Sequence, residues 1–110
     1  MKYKPLIYVC SAYARNDAGN MNKIKQYCRF ALEQGQIPLA PQLMFSAFMT
    51  EEEKDLIVFM DLILLGKCQE LWVFGDTITA SMKAEIDVAK RRRQPIRYFD
   101  SFMNEVRKND

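Results

Sequence analysis

Short runs of apolar residues alternate along this chain with longer segments that have the periodicity or the length of helices. The short runs have the composition of β-strands, and they cover residues 6–10, 37–41, 70–75 and 95–99. The helical segments cover residues 20–34, about 50–65, 79–93 and about 100–108. The pattern therefore predicts four strands, each followed by a helix.

The sequence also marks where two of the helices begin. Thr50 and Glu53 form a capping box, in which each side chain hydrogen-bonds to the backbone N–H of the other residue. Either Thr79 or Ser81 caps the next predicted helix. Residues 42–49, which are rich in Met and Phe, are predicted to form the loop before the capping box.

Alternating strands and helices predict an α/β fold with helices on both faces of a parallel sheet. We expect a small flavodoxin-like or Rossmann-like three-layer fold, with a parallel four-stranded sheet in the order 2-1-3-4. Pro38 cannot donate a hydrogen bond to a neighbouring strand, which fits the edge position of the second strand in this order. The length of 110 residues predicts a single domain over residues 1–110.

The composition indicates a globular protein, because 49% of its residues are hydrophobic. The net charge of +2 does not favour nucleic acid as a partner, and the basic run 90–93 is typical of a helix C-terminus. The longest apolar run, around residues 62–65, is too short for a membrane span, and we expect no signal peptide. Three cysteines without a Cys-x-x-Cys pair indicate reduced thiols, so we expect a cytoplasmic protein.

The chain contains no histidine. Ser-His and Cys-His catalysis, histidine metal sites and histidine acid–base chemistry are therefore excluded. Any catalysis must use carboxylates, tyrosines, lysines, arginines or thiols. The cysteine spacing does not indicate a zinc site, and we expect neither a metal nor another cofactor.

The predicted strand order brings two segments together at the carboxyl edge of the sheet, where open α/β sheets bind ligands. The first is the loop after the first strand, in which Ser11, Tyr13 and Arg15 are candidate substrate-binding residues. The second follows the third strand and carries Asp76 and Glu85. The first loop contains no glycine-rich phosphate motif, so Arg15 is interpreted equally well as a solvated residue.

Glu85 is the first candidate for chemistry. An exposed helical glutamate often has a basic residue four positions away. Glu85 has Ser81 and Ala89 at those positions, and it shares the side of the helix that carries Met82. We interpret Glu85 as a nucleophile for an electrophilic carbon rather than as a solvated residue, with Ser81 and Met82 as candidate substrate-binding neighbours.

Asp61 is the only charged residue in the strongly apolar segment 56–65. A carboxylate in such surroundings is costly unless it is paired or used, so both a structural and a catalytic role are open. Tyr8, in the first strand, is likewise either a core residue or a site residue. The apolar helix carries more hydrophobic surface than one small sheet covers, and we expect a homodimer or higher homo-oligomer with this helix at an interface.

Four motifs resemble those of the nucleoside 2-deoxyribosyltransferase-like proteins, in particular a small branch of that superfamily. The motifs are Ile7-Tyr8-Val9-Cys10-Ser11-x-Tyr13, Asp61-Leu62 before a strand, Leu71-Trp72-Val73-Phe74-Gly75 and Ser81-Met82-x-x-Glu85-Ile86. The resemblance spans almost the whole chain. Each motif is short, and their order and spacing together carry the resemblance.

The resemblance implies an enzyme that cleaves or transfers at the N-glycosidic bond of a nucleoside or nucleotide. Glu85 would attack C1′ and form a glycosyl-enzyme intermediate, and Tyr8 would position its carboxylate. Asp61 would contact the substrate or assist proton transfer to the base, with Asp76 as the alternative acid. Characterised members of the family complete their sites across subunits.

Three positions depart from the family pattern. Ala12 stands where a proline is frequent, Ala80 where a glycine is frequent, and Thr79 where characterised transferases have a second carboxylate. These departures favour an alternative, a non-catalytic nucleotide-binding or regulatory module on the same fold. The resemblance therefore implies a nucleoside deoxyribosyltransferase or a nucleoside or nucleotide N-glycosidase, with the binding module as the alternative.

Overall fold

A computed structural model describes residues 3–12 and 18–107 of the chain. Its strands are β1 (Leu6–Cys10), β2 (Ile37–Leu39), β3 (Glu70–Phe74), β4 (Ile96–Phe99) and β5 (Glu105–Val106). Its helices are α1 (Ala18–Glu33), α2 (Pro41–Phe45), α3 (Lys54–Gly66) and α4 (Ala80–Arg91), and a short 3-10 turn at Glu51–Glu53 leads into α3. The chain is thus an α/β protein in which helices flank one sheet.

The sheet has the strand order β2-β1-β3-β4-β5. The first four strands are parallel, and their order confirms the predicted 2-1-3-4 arrangement with β2 and its Pro38 at an edge. The prediction of a purely parallel four-stranded sheet is wrong, because β5 pairs with β4 in the antiparallel direction. Two hydrogen bonds of 2.7 and 2.8 Å from the Arg97 guanidinium to the Glu105 carboxylate tie these strands together.

The final helix predicted from about residue 100 to residue 108 is also wrong. Asp100 uses its side chain as an N-cap residue would, since Oδ1 accepts the backbone N–H groups of Phe102 at 2.8 Å and Asn104 at 3.0 Å. Met103, however, has a φ of 65°, in the left-handed region that a right-handed helix excludes. The cap signal therefore closes a turn that returns the chain to the sheet.

Two further boundaries differ from the prediction. The predicted loop 42–49 contains most of α2, which starts with Pro41 in its first turn, where proline has no helical hydrogen bond to lose. The capping box is present, with the Thr50 backbone N–H donating to Glu53 Oε1 at 2.9 Å. The turn that it opens is a 3-10 turn, and α3 starts at Lys54.

The two faces of the sheet support separate hydrophobic clusters, because side chains alternate between the faces along each strand. On one face the strands contribute Ile7, Val9, Trp72, Phe74 and Phe99, which pack against Tyr27 and Ala31 of α1. On the other face they contribute Tyr8, Cys10, Leu71 and Val73, which pack against Leu65 of α3 and Met82, Ile86 and Ala89 of α4. The second face therefore brings β1 against the helix that carries Glu85.

Helix α3 leaves much of its apolar surface uncovered. Leu65 is its only buried residue, although ten of its thirteen residues are hydrophobic or glycine. Leu56, Val58, Phe59 and Ile63 are each between 46% and 61% exposed. No helix within residues 3–12 and 18–107 has both the length and the apolar character that a membrane crossing requires. We therefore retain the prediction of a homodimer or higher homo-oligomer that buries the exposed face of α3.

Replacing Phe59 with Lys tests this prediction. Phe59 is 61% exposed, so the fold of the single chain should tolerate a lysine there, whereas an apolar interface should not. We expect light scattering at micromolar concentration to give an oligomer for the wild type and a monomer for Phe59→Lys. Tyr3→Lys, at a residue that is 77% exposed and outside α3, is the matched control and should remain oligomeric. A monomeric wild type would contradict the prediction.

Candidate active site

The Glu85 carboxylate is buried against strand β1. The Tyr8 hydroxyl donates a hydrogen bond to Glu85 Oε2, and the Cys10 thiol lies 3.4 Å from Oε1 in a donor position. Tyr8 and Cys10 are two residues apart in one strand, so both side chains project from the same face of the sheet. Each oxygen of the carboxylate thus has its own donor.

The first turns of α4 place Glu85 in this position. Thr79 caps the helix, with its Oγ1 accepting the backbone N–H of Met82 at 3.2 Å, so Thr79 rather than Ser81 is the N-cap. Met82 is 1% exposed and anchors the first turn in the core. Glu85 follows three residues later on the same side of the helix and is 7% exposed.

Burial and hydrogen bonding act in opposite directions on Glu85. Burial raises the pKa of its carboxyl, while the hydrogen bonds from Tyr8 and Cys10 lower that pKa by stabilising the charged form. The pKa values of the Tyr8 hydroxyl and the Cys10 thiol are both raised, first by burial and then by the neighbouring Glu85 charge. Both donors therefore keep their protons at neutral pH.

Asp61 provides a second carboxyl group, which differs from Glu85 in its hydrogen bonding. Burial, and after it the charge of Glu85, raise the pKa of Asp61 from 3.8 to about 7. Its Oδ1 is buried and has no hydrogen-bond partner within the described part of the chain. Near neutral pH this group is therefore divided between a protonated form and a charged form, as a proton donor requires.

A cavity of about 740 Å³ opens beside these two carboxyl groups. It is lined by residues of α2, α3 and α4 and by residues next to these helices and to the end of β1, namely Ser11, Gln42, Phe45, Ser46, Glu51, Lys54, Ile57, Val58, Asp61, Leu62, Thr79, Ala80, Ser81, Ala84 and Glu85. Four of the predicted site residues, Ser11, Asp61, Ser81 and Glu85, lie in this lining. The volume is within the range of pockets that hold small molecules.

Three buried polar atoms at this cavity have no hydrogen-bond partner among residues 3–12 and 18–107. They are Ser11 Oγ, Gln42 Oε1 and Asp61 Oδ1. Buried polar atoms are costly without partners, so their concentration at one cavity needs an explanation. A polar ligand that supplies hydrogen bonds to these three oxygens would satisfy them.

Three other predicted site residues, Asp76, Met82 and Tyr8, lie outside this lining. Asp76 is exposed, and one of its oxygens lies 3.4 Å from Ser101 Oγ, which is oriented to donate to it. Met82 is buried in the core, and Tyr8 lies behind Glu85. Tyr13 and Arg15 fall outside the described residues, so the structure gives no position for them.

Sequence reasoning missed Gln42 and Lys54. The sequence pattern predicts a loop at Gln42, whereas this residue lies in α2 and lines the cavity. Lys54 begins a stripe on α3 that continues through Ile57 and Val58 to Asp61, with the spacing i, i+3, i+4 and i+7 of one helix face. That spacing was visible in the sequence and would have predicted that the lysine and the aspartate face the same cavity.

No group of three or more metal-ligating side chains is found in the described parts of the chain, residues 3–12 and 18–107. Residues 5–99 match the model of a family described as a domain of unknown function, DUF7768, and the chain belongs to this family. No curated protein matches the chain.

The raised pKa of Asp61 predicts a pH-dependent effect of replacing it with Asn. Between the ordinary aspartate pKa of 3.8 and the folded value of about 7, the folded protein binds more protons than the unfolded chain, so the stability contributed by this group falls as pH rises. Asp61→Asn removes this loss. We expect the Tm of the variant, relative to the wild type, to increase by a few degrees from about pH 4 to about pH 8, as measured by calorimetry. A difference that stays constant with pH would contradict the assignment.

Proposed function

We propose that this member of the DUF7768 family is an enzyme that cleaves or transfers at the N-glycosidic bond of a nucleoside or nucleotide, with a 2′-deoxy sugar as the preferred substrate. The observation that carries the proposal is the buried Glu85 carboxylate, which borders a cavity of about 740 Å³ and has both oxygens held by donors. A carboxylate held in this way is oriented for attack on a single carbon of a bound substrate.

The proposed first step is nucleophilic displacement at C1′ of the sugar. A Glu85 oxygen forms a bond to C1′ while the bond from C1′ to the base nitrogen breaks, and its electron pair stays on the base. The Asp61 carboxyl transfers a proton to the departing base. In the second step the charged Asp61 takes a proton from water, or from the N–H of another base, as that nucleophile attacks C1′. The bond from C1′ to the Glu85 oxygen breaks with its electron pair staying on Glu85, so both carboxyl groups return to their starting states and the configuration at C1′ is retained.

The two carboxyl groups are suited to these different roles. Burial raises the pKa of Glu85, and the donors from β1 act against that rise by stabilising its charged form. Asp61 Oδ1 has no hydrogen-bond donor within the described residues, and the pKa of about 7 lets Asp61 hold a proton near neutral pH. The donors around Glu85 suit it to be the nucleophile, and their absence at Asp61 Oδ1 suits Asp61 to be the acid. Asp61 is preferred to Asp76 as the acid, because Asp76 is exposed and outside the cavity lining.

The proposed chemistry uses only side chains and needs neither a metal nor another cofactor. The partner is a small-molecule nucleoside or nucleotide rather than nucleic acid, and we place the reaction in the cytoplasm. The proposal includes the small flavodoxin-like group as the fold and the nucleoside 2-deoxyribosyltransferase-like proteins as the wider family. The meeting of Tyr8, Asp61 and Glu85 at one site supports both.

A non-catalytic nucleotide-binding or regulatory module is the second candidate. The observation in its favour is the use of Thr79, which stands where characterised transferases have a second carboxylate. In this chain the Thr79 hydroxyl caps α4. Such a module would use the three unpartnered oxygens of the cavity to hold a ligand without turnover. It would show ligand-dependent stabilisation and no release of base.

A screen of deoxynucleosides and their 5′-monophosphates for release of free base tests the proposal. We expect Glu85→Gln to lower the release rate by roughly a thousandfold or more, because the covalent step is lost. Mass spectrometry of the quenched wild-type reaction should detect the glycosyl-enzyme. Asp87→Asn is the matched control, since Asp87 lies on the same helix in a partly exposed pair with Lys83, and it should keep wild-type rates. Wild-type turnover by Glu85→Gln would overturn the mechanism, and the absence of release from every substrate would favour the binding module.

Replacing Asp61 with Asn tests the proposed acid separately. The variant keeps the shape of the side chain and removes its proton, so turnover should fall by roughly a hundredfold or more. The loss should be smaller for bases that leave readily without protonation. Asp55→Asn, at an exposed position of the same helix, is the control and should retain activity. Normal turnover by Asp61→Asn would exclude Asp61 as the acid, whatever its effect on stability.

A further inference from the structure

The Glu85 carboxylate is held by two donors of unequal strength. The Tyr8 hydroxyl is a strong donor to Oε2, whereas the Cys10 thiol is a weak donor to Oε1, at 3.4 Å. The nucleophilic oxygen of a carboxylate must give up part of its hydrogen bonding as it bonds to carbon. The oxygen with the weaker donor loses less in that step.

We infer that Cys10 is a positioning residue that orients Glu85 while leaving Oε1 as the attacking oxygen, with Tyr8 retaining Oε2 throughout. This inference rests on the proposed N-glycosidic chemistry and adds an assignment of the two oxygens. When Oε1 bonds to C1′, Oε2 becomes the carbonyl oxygen of the ester and still accepts from Tyr8. The thiol keeps its proton and only loses its contact with Oε1, so no further proton transfer is required.

The thiol is a donor and not a second nucleophile. Cys10 is fully buried, and burial together with the Glu85 charge raises the pKa of the thiol well above its ordinary value. It is also absent from the lining of the cavity, whereas Glu85 is part of that lining. A substrate in the cavity therefore meets the carboxylate, and the thiol acts through it.

The other titratable groups around Glu85 do not hold Oε1. Tyr8, from β1, donates to the other oxygen, Oε2. Asp61, from α3, makes no hydrogen bond to Glu85 within the described residues. Glu51 and Lys54 line the same cavity at the start of α3. Because Cys10 is the donor at Oε1, replacing it should directly change the hydrogen bonding of that oxygen and the pKa of Glu85.

Two substitutions of Cys10 should have opposite effects on the Glu85 pKa. Cys10→Ser supplies a stronger donor to the charged carboxylate and should lower the pKa, whereas Cys10→Ala removes the donor and should raise it. Cys68→Ser is the matched control, because the Cys68 thiol is also buried but donates to the Leu64 carbonyl oxygen at 3.4 Å. A merely structural role of Cys10 would lower Tm in both variants without opposite pKa shifts.

The experiment measures two properties of each variant. The first is the Glu85 titration, followed by carbon NMR of ¹³C-labelled glutamate and identified by the signal missing in Glu85→Gln. The second is the pH profile of base release, with the rate at the high-pH plateau. We expect the plateau rate of Cys10→Ser to fall about tenfold, as one stronger hydrogen bond on the ground-state carboxylate implies. Cys10→Ala should lower the plateau rate by a smaller factor, about threefold, because Oε1 loses the weak donor that orients it.

Each outcome separates this inference from the proposed function. Opposite pKa shifts with the expected plateau rates support it. Shifts in the same direction, or a plateau rate that Cys10→Ser leaves unchanged, overturn the role of Cys10 even when base release is observed. Opposite pKa shifts in a protein that releases no base from any substrate overturn the proposed function, and with it the assignment of Oε1 as nucleophile, while they confirm Cys10 as a donor to Glu85.

Discussion

The burial of the Glu85 carboxylate is the constraint on which the rest of this site depends. A charged group that is 7% exposed would normally be neutralised or excluded, because the charged form loses its hydration. Here Tyr8 and Cys10 meet its two oxygens and partly offset that loss. The result is a carboxylate that is oriented by the protein rather than by water, which is the state that a nucleophile needs.

The hydrogen bonds of Tyr8 and Cys10 to Glu85 connect β1, an interior strand of the sheet, to α4. Strand β1 lies between β2 and β3, so its register is set on both sides, and Tyr8 and Cys10 are held against Leu71 and Val73 of β3. The opposite face of the same strands packs on α1 through stacked rings, with Tyr27 and Phe74 centroids 4.4 Å apart. Because the strand is fixed by both faces and both neighbours, it holds the donors in a defined position relative to the helix that carries the carboxylate.

At Asp61 and the cavity beside it, burial has a different consequence. Burial and the charge of Glu85 raise the pKa of Asp61 to about 7, and its Oδ1 accepts no hydrogen bond within the described residues. Ser11 and Gln42, whose side-chain oxygens also have no partner among the described residues, line the same cavity. Buried polar atoms without partners are costly, and a polar ligand bound in this cavity would satisfy them. The apolar face of α3 is exposed beside this cavity, since Val58 is both 47% exposed and part of the lining, so a second copy placed there would lie next to the site.

The sequence by itself determined the alternation of strands and helices, the order of the four parallel strands, the edge position of Pro38, and the unusual placement of Glu85 and Asp61. These features depend on periodicity and on near neighbours, which a single chain displays directly. The tertiary structure decided what depends on distant residues. The contact of Cys10 with Glu85 spans 75 positions, and that of Tyr8 spans 77. The position of Gln42 in the cavity lining is likewise a tertiary feature. So is the antiparallel pairing of β5 with β4, which joins residues that a local helix signal does not relate.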